Sequence, residues 1–507
     1  MTPFSIADPL PEAGTTTLLE ASAGTGKTWT IGALVTRYVA EGVVELGEML
    51  VVTFGRAASQ ELRERVRAQL VEAERALAAV DEPDHPDHGR GAGASELLAL
   101  LLDAEPAERA ARRRRVRDAL ADFDAATIAT THQFCSLVLD SLGVAGDSDG
   151  QATLVENLDD LVAEVVDDLY LRAFAFAESP PSFTRAEAGQ IARAVVADPQ
   201  AHLEPADEPR DTPAGRKVSF ARAVRAELEA RKRRLGLLSY DDLLSQLADA
   251  LGPDDSLARE RMRARWQLVL VDEFQDTDPV QWQVLDRAFS GHATMVLIGD
   301  PKQAIYAFRG GDVVTYLQAA ATARRHQTLA TNWRSDAPLV GAVSRLLVGA
   351  ELGDERIVVQ PVEAHHQESR LSGAPQSAPL RLRMVSRETF GRGAGSTIAV
   401  GDARPHIATD LAHDVHNLLA SGAAFDGKVL QPSDVAVICY RHADLAASQA
   451  ALHAVGVPAV IAGGGSVFAT PAADDWLRLL EGLEQPHRSP RVRAAALSPF
   501  LGFTALA

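Results

Sequence analysis

Ala21, Ser22, Ala23, Gly24, Thr25, Gly26, Lys27 and Thr28 form a run of small side chains closed by a cation and a hydroxyl. Small residues let successive backbone N–H groups turn inward around a polyphosphate with no Cβ atoms in the way. A helix starting at the end of such a loop adds a dipole that favours the anion. Lys27 can then reach the β and γ phosphates of a nucleotide, and the Thr28 hydroxyl can ligate Mg²⁺. Ala21 stands where the usual pattern has its first glycine, so a flexible glycine loop with an incidental Lys-Thr is the alternative. A second cluster follows the apolar run Leu268–Val271, which ends in Asp272 and Glu273. There Asp272 would hold Mg²⁺ through its water shell and Glu273 would orient or deprotonate an attacking water. In residues 299–313, Gln303 can hydrogen-bond a γ-phosphate, while Tyr306, Phe308 and Arg309 suit stacking on unpaired bases and binding phosphate.

These groups meet only if the chain delivers them to one edge. Thr17–Leu19 is a short apolar β-type run, and residues 28–40 follow with a helical pattern. Met49–Phe54 is a continuous apolar run of the buried parallel-strand type, leading through Gly55 into a long Ala/Arg/Glu helix. Residues 127–135 read as another strand turning into a helix, and Leu268–Val271 and Met295–Ile298 as two more buried strands. The alternation predicts a doubly wound α/β core, in which ligands bind at the carboxyl ends of the strands. Residues 136–235 are mainly helical and read as an insertion, followed by a capping signal at Ser239–Asp242. Beyond Thr328 the composition loosens into loops near 353–377 and 389–405. Strand–helix signals return at Leu380–Val385, Ile407–Leu419, Val435–Tyr440, Leu445–Val455 and Ala459–Ala462.

The 507 residues allow several domains with sizeable cores, and 46% hydrophobic with 23% charged residues is ordinary for a soluble globular protein. No apolar run approaches a membrane span, which points to a cytoplasmic protein without a membrane partner. Cys135 and Cys439 lie far apart and support neither a disulfide framework nor a cysteine metal site. The formal charge of −19 argues against nucleic-acid binding over the whole surface but not against a local basic groove. His85 and His88 sit in a solvated acidic loop, and the run Arg112–Arg115 reads as an exposed basic helix face.

The segments EASAGTGKT, VVTFGRAASQELRERV, TIATTHQFC, LSYDDLL, LVDEFQDTDPVQW, IGDPKQAIYAFRGGD and TNWRSD occur in order between Leu18 and Asp336. In wording and order they resemble the motifs of UvrD/Rep-like superfamily 1 DNA helicases, with weaker similarity onward to Leu501. The resemblance implies a P-loop NTPase of the α/β class: a RecA-like parallel sheet with a helical insertion domain and the start of a second RecA-like domain. It further implies ATP and Mg²⁺ as cofactors, with Ala21–Thr28 binding ATP and Asp272 and Glu273 serving Mg²⁺ and hydrolysis. Gln303 would couple the γ-phosphate to DNA, Arg334 would act as an arginine finger, and Trp333 would stack on adenine. Phe54, His132, Phe134, Tyr306, Phe308 and Arg309 would line the path of single-stranded DNA. Within the family the wording is most similar to helicase–nucleases of the double-strand-break repair type. Those track 3′→5′ from single- and double-stranded DNA ends with RecC-like and RecD-like partner subunits.

The implied domains are a first motor domain (1–135 and 236–328), the helical insertion (136–235), a partial second motor domain (329–465) and the start of a second insertion (466–507). The expected glutamine-bearing segment before Pro11 is not recognisable. Segments of the type TVHKAKGLE and LYVALTRA are missing from the sequence, as is a nuclease domain. The expectation is therefore a truncated chain that binds ATP and DNA but unwinds poorly. The alternatives are a catalytically incomplete ATP- and DNA-binding fragment and another UvrD- or AddA-like helicase.

Overall fold

A computed structural model of the chain describes residues 1–81, 95–142, 153–155, 157–176, 180–199, 201–209, 212–253, 255–306, 311–393, 395–463 and 466–504. The chain divides into two compact units, Met1–Gln367 and Glu368–Ala507.

The first unit opens with β1 (Thr2–Pro3), β2 (Thr16–Glu20), α1 (Lys27–Glu41), β3 (Met49–Thr53) and α2 (Arg56–Asp81). Next come α3 (Glu96–Leu102), α4 (Pro106–Ala121), β4 (Thr127–Thr130) and α5 (Thr131–Leu142). A helical module follows: β5 (Thr153–Leu154), α6 (Asp159–Phe174), α7 (Arg185–Ala197), α8 (Pro213–Leu235) and β6 (Leu237–Leu238). The chain then runs through α9 (Tyr240–Ala250), α10 (Leu257–Arg265), β7 (Leu268–Val271), α11 (Pro279–Phe289), β8 (Thr294–Gly299), α12 (Val313–Thr322) and β9 (Arg325–Thr328). It ends with β10 (Thr331–Asp336), α13 (Ala337–Leu347) and β11 (Glu363–His366).

Among the described residues one sheet holds seven strands in the order β1-β9-β2-β8-β7-β3-β4, and every pair in it is parallel. Side chains alternate across a strand, and here both faces are covered, which explains the unbroken apolar runs. Leu50, Val52, Val269, Val271, Met295 and Leu297 pack on one face with Phe134, Leu243, Met262 and Leu285 from α5, α9, α10 and α11. Met49, Val51, Leu268, Leu270, Val296 and Ile298 pack on the other face with Ile31, Leu62, Leu97 and Val116 from α1, α2, α3 and α4. The register sets Glu20 beside Gly299, Val52 beside Val271 and Thr53 beside Thr130, so these strands end together at one edge.

The helical module keeps its own core, in which Val165, Val166, Ala188, Ala192 and Val224 are fully buried. Its entry and exit are tied by the parallel pairing of β5 with β6. The capping signal is realised: Ser239 Oγ accepts from Asp242 N, and the Asp242 carboxylate accepts from Ser239 N. Asp242 also takes the Lys232 ammonium at 2.6 Å, which anchors the last turn of α8 to the first turn of α9. The run Arg112–Arg115 is not simply a free basic face. Arg112 donates to the carbonyls of Leu100 and Leu101, Arg113 pairs with Glu74, and Arg115 donates to the Ala40 carbonyl. These guanidiniums cross-link α4 to its neighbours. His85 and His88 lie outside the described residues.

In the second unit β12 (Leu371–Ser372), β13 (Ala424–Phe425) and β14 (Lys428–Val429) form a small antiparallel sheet, and α14 (Val400–Ala420) packs against α15 (His442–Ala454). A hairpin of α16 (Pro471–Glu484) and α17 (Ser489–Ala496) follows, with Trp476 and Phe500 rings 4.6 Å apart. The signals at Ile407–Leu419 and Leu445–Val455 fall on α14 and α15. Those at Leu380–Val385, Val435–Tyr440 and Ala459–Ala462 fall in segments that join no strand ladder among the described residues, contrary to the strands expected there. Their alternation is nonetheless that of a strand. Val435, Val437 and Ala459 pack on the core of α14 and α15, while Ile438, Tyr440 and Val460 point to solvent. A strand needs a neighbour to satisfy its N–H and C=O groups, and the apolar pattern alone does not supply one. No described helix in either unit is long and apolar enough to cross a membrane.

The core of the first unit makes a direct prediction. Trp266, 2% exposed, donates its indole N–H to Thr127 Oγ1 at 3.3 Å and packs edge-on to Phe134 and Phe289. Trp266→Ala should cost about 3–5 kcal/mol, read as a lower denaturant midpoint.

Candidate nucleotide-binding site

β2 carries the chain up to the sheet edge, where residues 21–26 turn over the start of α1. Gly24 (φ 81°) and Gly26 (φ 91°) take the left-handed conformation that lets the loop curl back. Ala21 is completely buried among the apolar residues behind the sheet, and its N–H donates to the Gly299 carbonyl at 2.9 Å. Its methyl group is therefore core, which accounts for an alanine where a glycine is usual. Thr25 Oγ1 donates to the Ser22 carbonyl at 2.7 Å and closes the turn.

Two strands away, β7 ends in the acidic pair. Asp272 N donates to the Val52 carbonyl at 2.8 Å, which fixes the carboxylate at the same edge. Lys27 Nζ reaches across to Glu273 Oε2 at 2.5 Å. Glu273 has φ 49°, unusual for a residue with a side chain and a cost of order 1–3 kcal/mol held at this turn. Burial, reinforced by the neighbouring Glu273 charge and opposed by Lys27, pushes the Asp272 carboxyl up to about 6. The same three influences push Asp276 up to about 6, and its Oδ1 is buried without a hydrogen-bond partner. Asp272 and the Thr28 hydroxyl on the adjoining helix are hard oxygen donors of the kind Mg²⁺ takes, while no group of three metal-ligating acidic, His or Cys side chains gathers among the described residues.

The third wall comes from further along the chain. After β8, Asp300 Oδ2 accepts from Gln303 Nε2 at 2.6 Å, and this holds the glutamine beside the acidic turn. β10 rests on the loop itself. Trp333 N donates to the Gly24 carbonyl at 2.8 Å, and Asn332 Nδ2 donates to the Ala23 carbonyl at 3.1 Å. Asn332 Oδ1 accepts from Arg334 N and Ser335 N, so the arginine's backbone is registered against the loop. The Trp333 indole, 53% exposed, lies against the His365 ring of β11 at a tilt, with centroids 4.2 Å apart.

A model of the UvrD/Rep helicase N-terminal domain matches residues 6–324. The chain belongs to the UvrD/Rep helicase family. This UvrD/Rep-family chain is 57% identical over 502 residues to the RecBCD enzyme subunit RecB of Mycolicibacterium smegmatis, covering 99% of the chain and 45% of that protein. It is 54% identical over the same length to the subunit of the same name from Mycobacterium tuberculosis, again 45% of that protein. To the Escherichia coli subunit of that name it is 31% identical over 303 residues, 56% of the chain and 25% of that protein. It thus spans less than half the length of these curated relatives.

The aromatic residues assigned to a DNA path separate into distinct environments. Phe54 and Tyr306 stack with ring centroids 5.3 Å apart, near the end of β3. His132 packs edge-on to Tyr240, and burial pushes its imidazole below its usual range against the pull of Asp241. Phe134 must be reassigned. It is fully buried on the core face of α5 against Trp266, two positions along from His132, and lines no surface a strand of DNA reaches. Phe308 and Arg309 lie outside the described residues.

Sequence reasoning passed over three positions that the fold brings into the site. Gln275, 2% exposed, donates to Glu273 Oε2 at 2.9 Å and accepts from Asp300 N at 2.9 Å, bridging two motifs. Asn332 is the contact between β10 and the loop. Both lie inside quoted motifs and were legible as polar residues next to functional ones. His365 lies in a stretch that reads as loop, and nothing in its neighbours signals a ring against Trp333.

A Cβ on Gly24 would sit 2.9 Å from both Arg334 Cβ and Asn332 Oδ1. Gly24→Ala should therefore push β10 off the loop, exposing the Trp333 amide. Hydrogen exchange at that amide should accelerate by about tenfold or more, with amides of β7 unchanged.

Proposed function

We propose that the chain is the ATP-driven motor portion of a DNA helicase of the RecBCD type, acting 3′→5′ from DNA ends in double-strand-break repair. The observation that carries this reading is the junction of Lys27 with Glu273 at the sheet edge, beside Asp272 and under β10. Residues 1–135 and 236–328 are taken as the first motor domain and 136–235 as its helical insertion. Residues 329–465 are taken as part of a second motor domain and 466–507 as the start of another insertion. RecC-like and RecD-like subunits are the partners this reading calls for in the whole protein, in the cytoplasm.

Each group has a chemical role in that proposal. The N–H groups of residues 21–28 wrap the phosphates, and Lys27 leaves Glu273 to neutralise the β and γ oxygens. Thr28 and Asp272 would hold Mg²⁺, which when bound neutralises charge on the transferring phosphoryl group. Glu273, freed from Lys27, orients and deprotonates the attacking water. Trp333 stacks on the base, and Arg334 supplies positive charge from the β10 side. Gln303 relays the state of the terminal phosphate to Tyr306 and Phe54, which stack on unpaired bases. Closing and opening of this cleft would alternate the grip on the strand.

The test is ATP hydrolysis by the chain with and without a single-stranded oligonucleotide. Stimulation by the oligonucleotide, abolished by Lys27→Ala, is the expected result. Hydrolysis that survives Lys27→Ala would defeat the assignment. In the same preparation Tyr306→Ala should weaken oligonucleotide binding by about 1–3 kcal/mol, measured by fluorescence anisotropy. Phe134→Ala should instead lower stability by about 3–5 kcal/mol.

A further inference from the structure

Lys302 has no part in the chemistry above, yet its ammonium is nearly buried at the site, with only 10% of the side chain exposed. It pairs with Glu20, the last residue of β2, and with Asp300 Oδ1 at 2.6 Å. Those two carboxylates are 8% and 3% exposed. Burial opposes the charge on Lys302, but the Asp300 and Glu20 carboxylates outweigh it and raise its pKa, so it remains an ammonium. A buried ion triad of this kind is weak as a stabilising device, because desolvation offsets most of the attraction. Its placement suggests another use.

Asp300 accepts from three donors of its own loop. One oxygen takes the Lys302 ammonium and the Lys302 N–H, and the other takes the Gln303 carboxamide. The Asp300 N–H is held by Gln275, which also holds Glu273, and Glu273 holds Lys27. The contacts therefore run in a circuit from Glu20 before the phosphate loop, through Lys302, Asp300, Gln275 and Glu273, to Lys27 after it. Gln303 hangs on this circuit at Asp300. Without the Lys302 charge, Asp300 would have to find another cation or donor, and the Gln303 carboxamide is the donor already within reach. A carboxylate so unbalanced would bind the glutamine more tightly and withhold it from a phosphate.

We propose that Lys302 is a positioning residue which, through Asp300, keeps the Gln303 carboxamide available to a terminal phosphate and so sets the preference of the site for a nucleoside triphosphate over a diphosphate. The proposal rests on the nucleotide-binding reading given above. Glu20 is the counter-charge that ties the same device to the phosphate loop.

The experiment measures dissociation constants of the chain for fluorescent Mg-ATPγS and Mg-ADP. Lys302→Met should shift the ratio of the two constants toward ADP by about fivefold, the size of one lost hydrogen bond, with ADP affinity itself within about twofold. In a Gln303→Ala background the same substitution should change the ratio no further. Because Lys302→Met strands two buried carboxylates, the pair Lys302→Met with Glu20→Gln is measured alongside, with thermal unfolding as the control for folding. It should show the same shift. Equal weakening of both nucleotides, or a shift that persists without Gln303, would overturn the proposal, as would loss of folding in both variants, since Lys302 would then be structural. A parent chain that binds neither nucleotide would overturn the nucleotide reading and this inference with it. Lys27→Ala, expected to remove binding of both nucleotides, keeps the two failures apart.

Discussion

The parallel pairing of β2 with β8, and of β7 with β3, is the constraint on which the first unit depends. Parallel strands in register end at the same edge, so whatever follows each strand is delivered to one line of space. Glu20 opposite Gly299 puts the small-residue loop next to Asp300, and Val52 opposite Val271 puts Thr53 next to Asp272. Residues about 250 positions apart thus come within hydrogen-bonding distance without a dedicated scaffold. The core on both faces enforces that register, since a slip of one residue would turn every apolar side chain to the wrong helix layer.

Charge is the second constraint, and it follows from the first. Bringing strand ends together concentrates carboxylates at Asp272, Glu273, Asp276 and Asp300, where water is partly excluded. Two lysines answer them, Lys27 toward Glu273 and Lys302 toward Asp300 and Glu20. Asp272 and Asp276 remain under-compensated, with carboxyls raised to about 6. The ion pair of Lys27 with Glu273 joins the small-residue loop to the acidic turn at that edge. It holds both side chains in place and leaves them exchangeable.

The second unit shows what happens where a comparable constraint is not met. Residues 435–440 and 457–461 alternate as strands do, with one side packed against α14 and α15. Their other side presents Ile438, Tyr440 and Val460 to solvent, each more than nine-tenths exposed. The segment 380–385 is held beside α14 by charge, through Arg381 to Asp414 and Arg383 to Asp410. Apolar alternation states which side of a segment is inward. It does not state which segment pairs with which, because pairing depends on neighbours distant in sequence.

The sequence by itself determined the elements of the first unit. The apolar runs at Thr17–Leu19, Met49–Phe54, Leu268–Val271 and Met295–Ile298 are long and unbroken because both faces of a parallel sheet are covered, and that signature is local. The small-residue loop before Lys27 and the acids after Val271 are local too, since each is a short run of side chains directly following a strand. Which residues of a motif face the site was decided only by tertiary structure. Phe134 and His132 sit two apart on one helix, but about 200° of rotation sends the first into the core beside Trp266. Lys302 and Gln303 are adjacent, yet one turns back to Glu20 while the other is held on Asp300. Gln275, Asn332 and His365 enter the site because distant strands bring partners to them. Burial, and the pairing of charges it compels, is a property of the folded whole, and no local pattern of residue types encodes it.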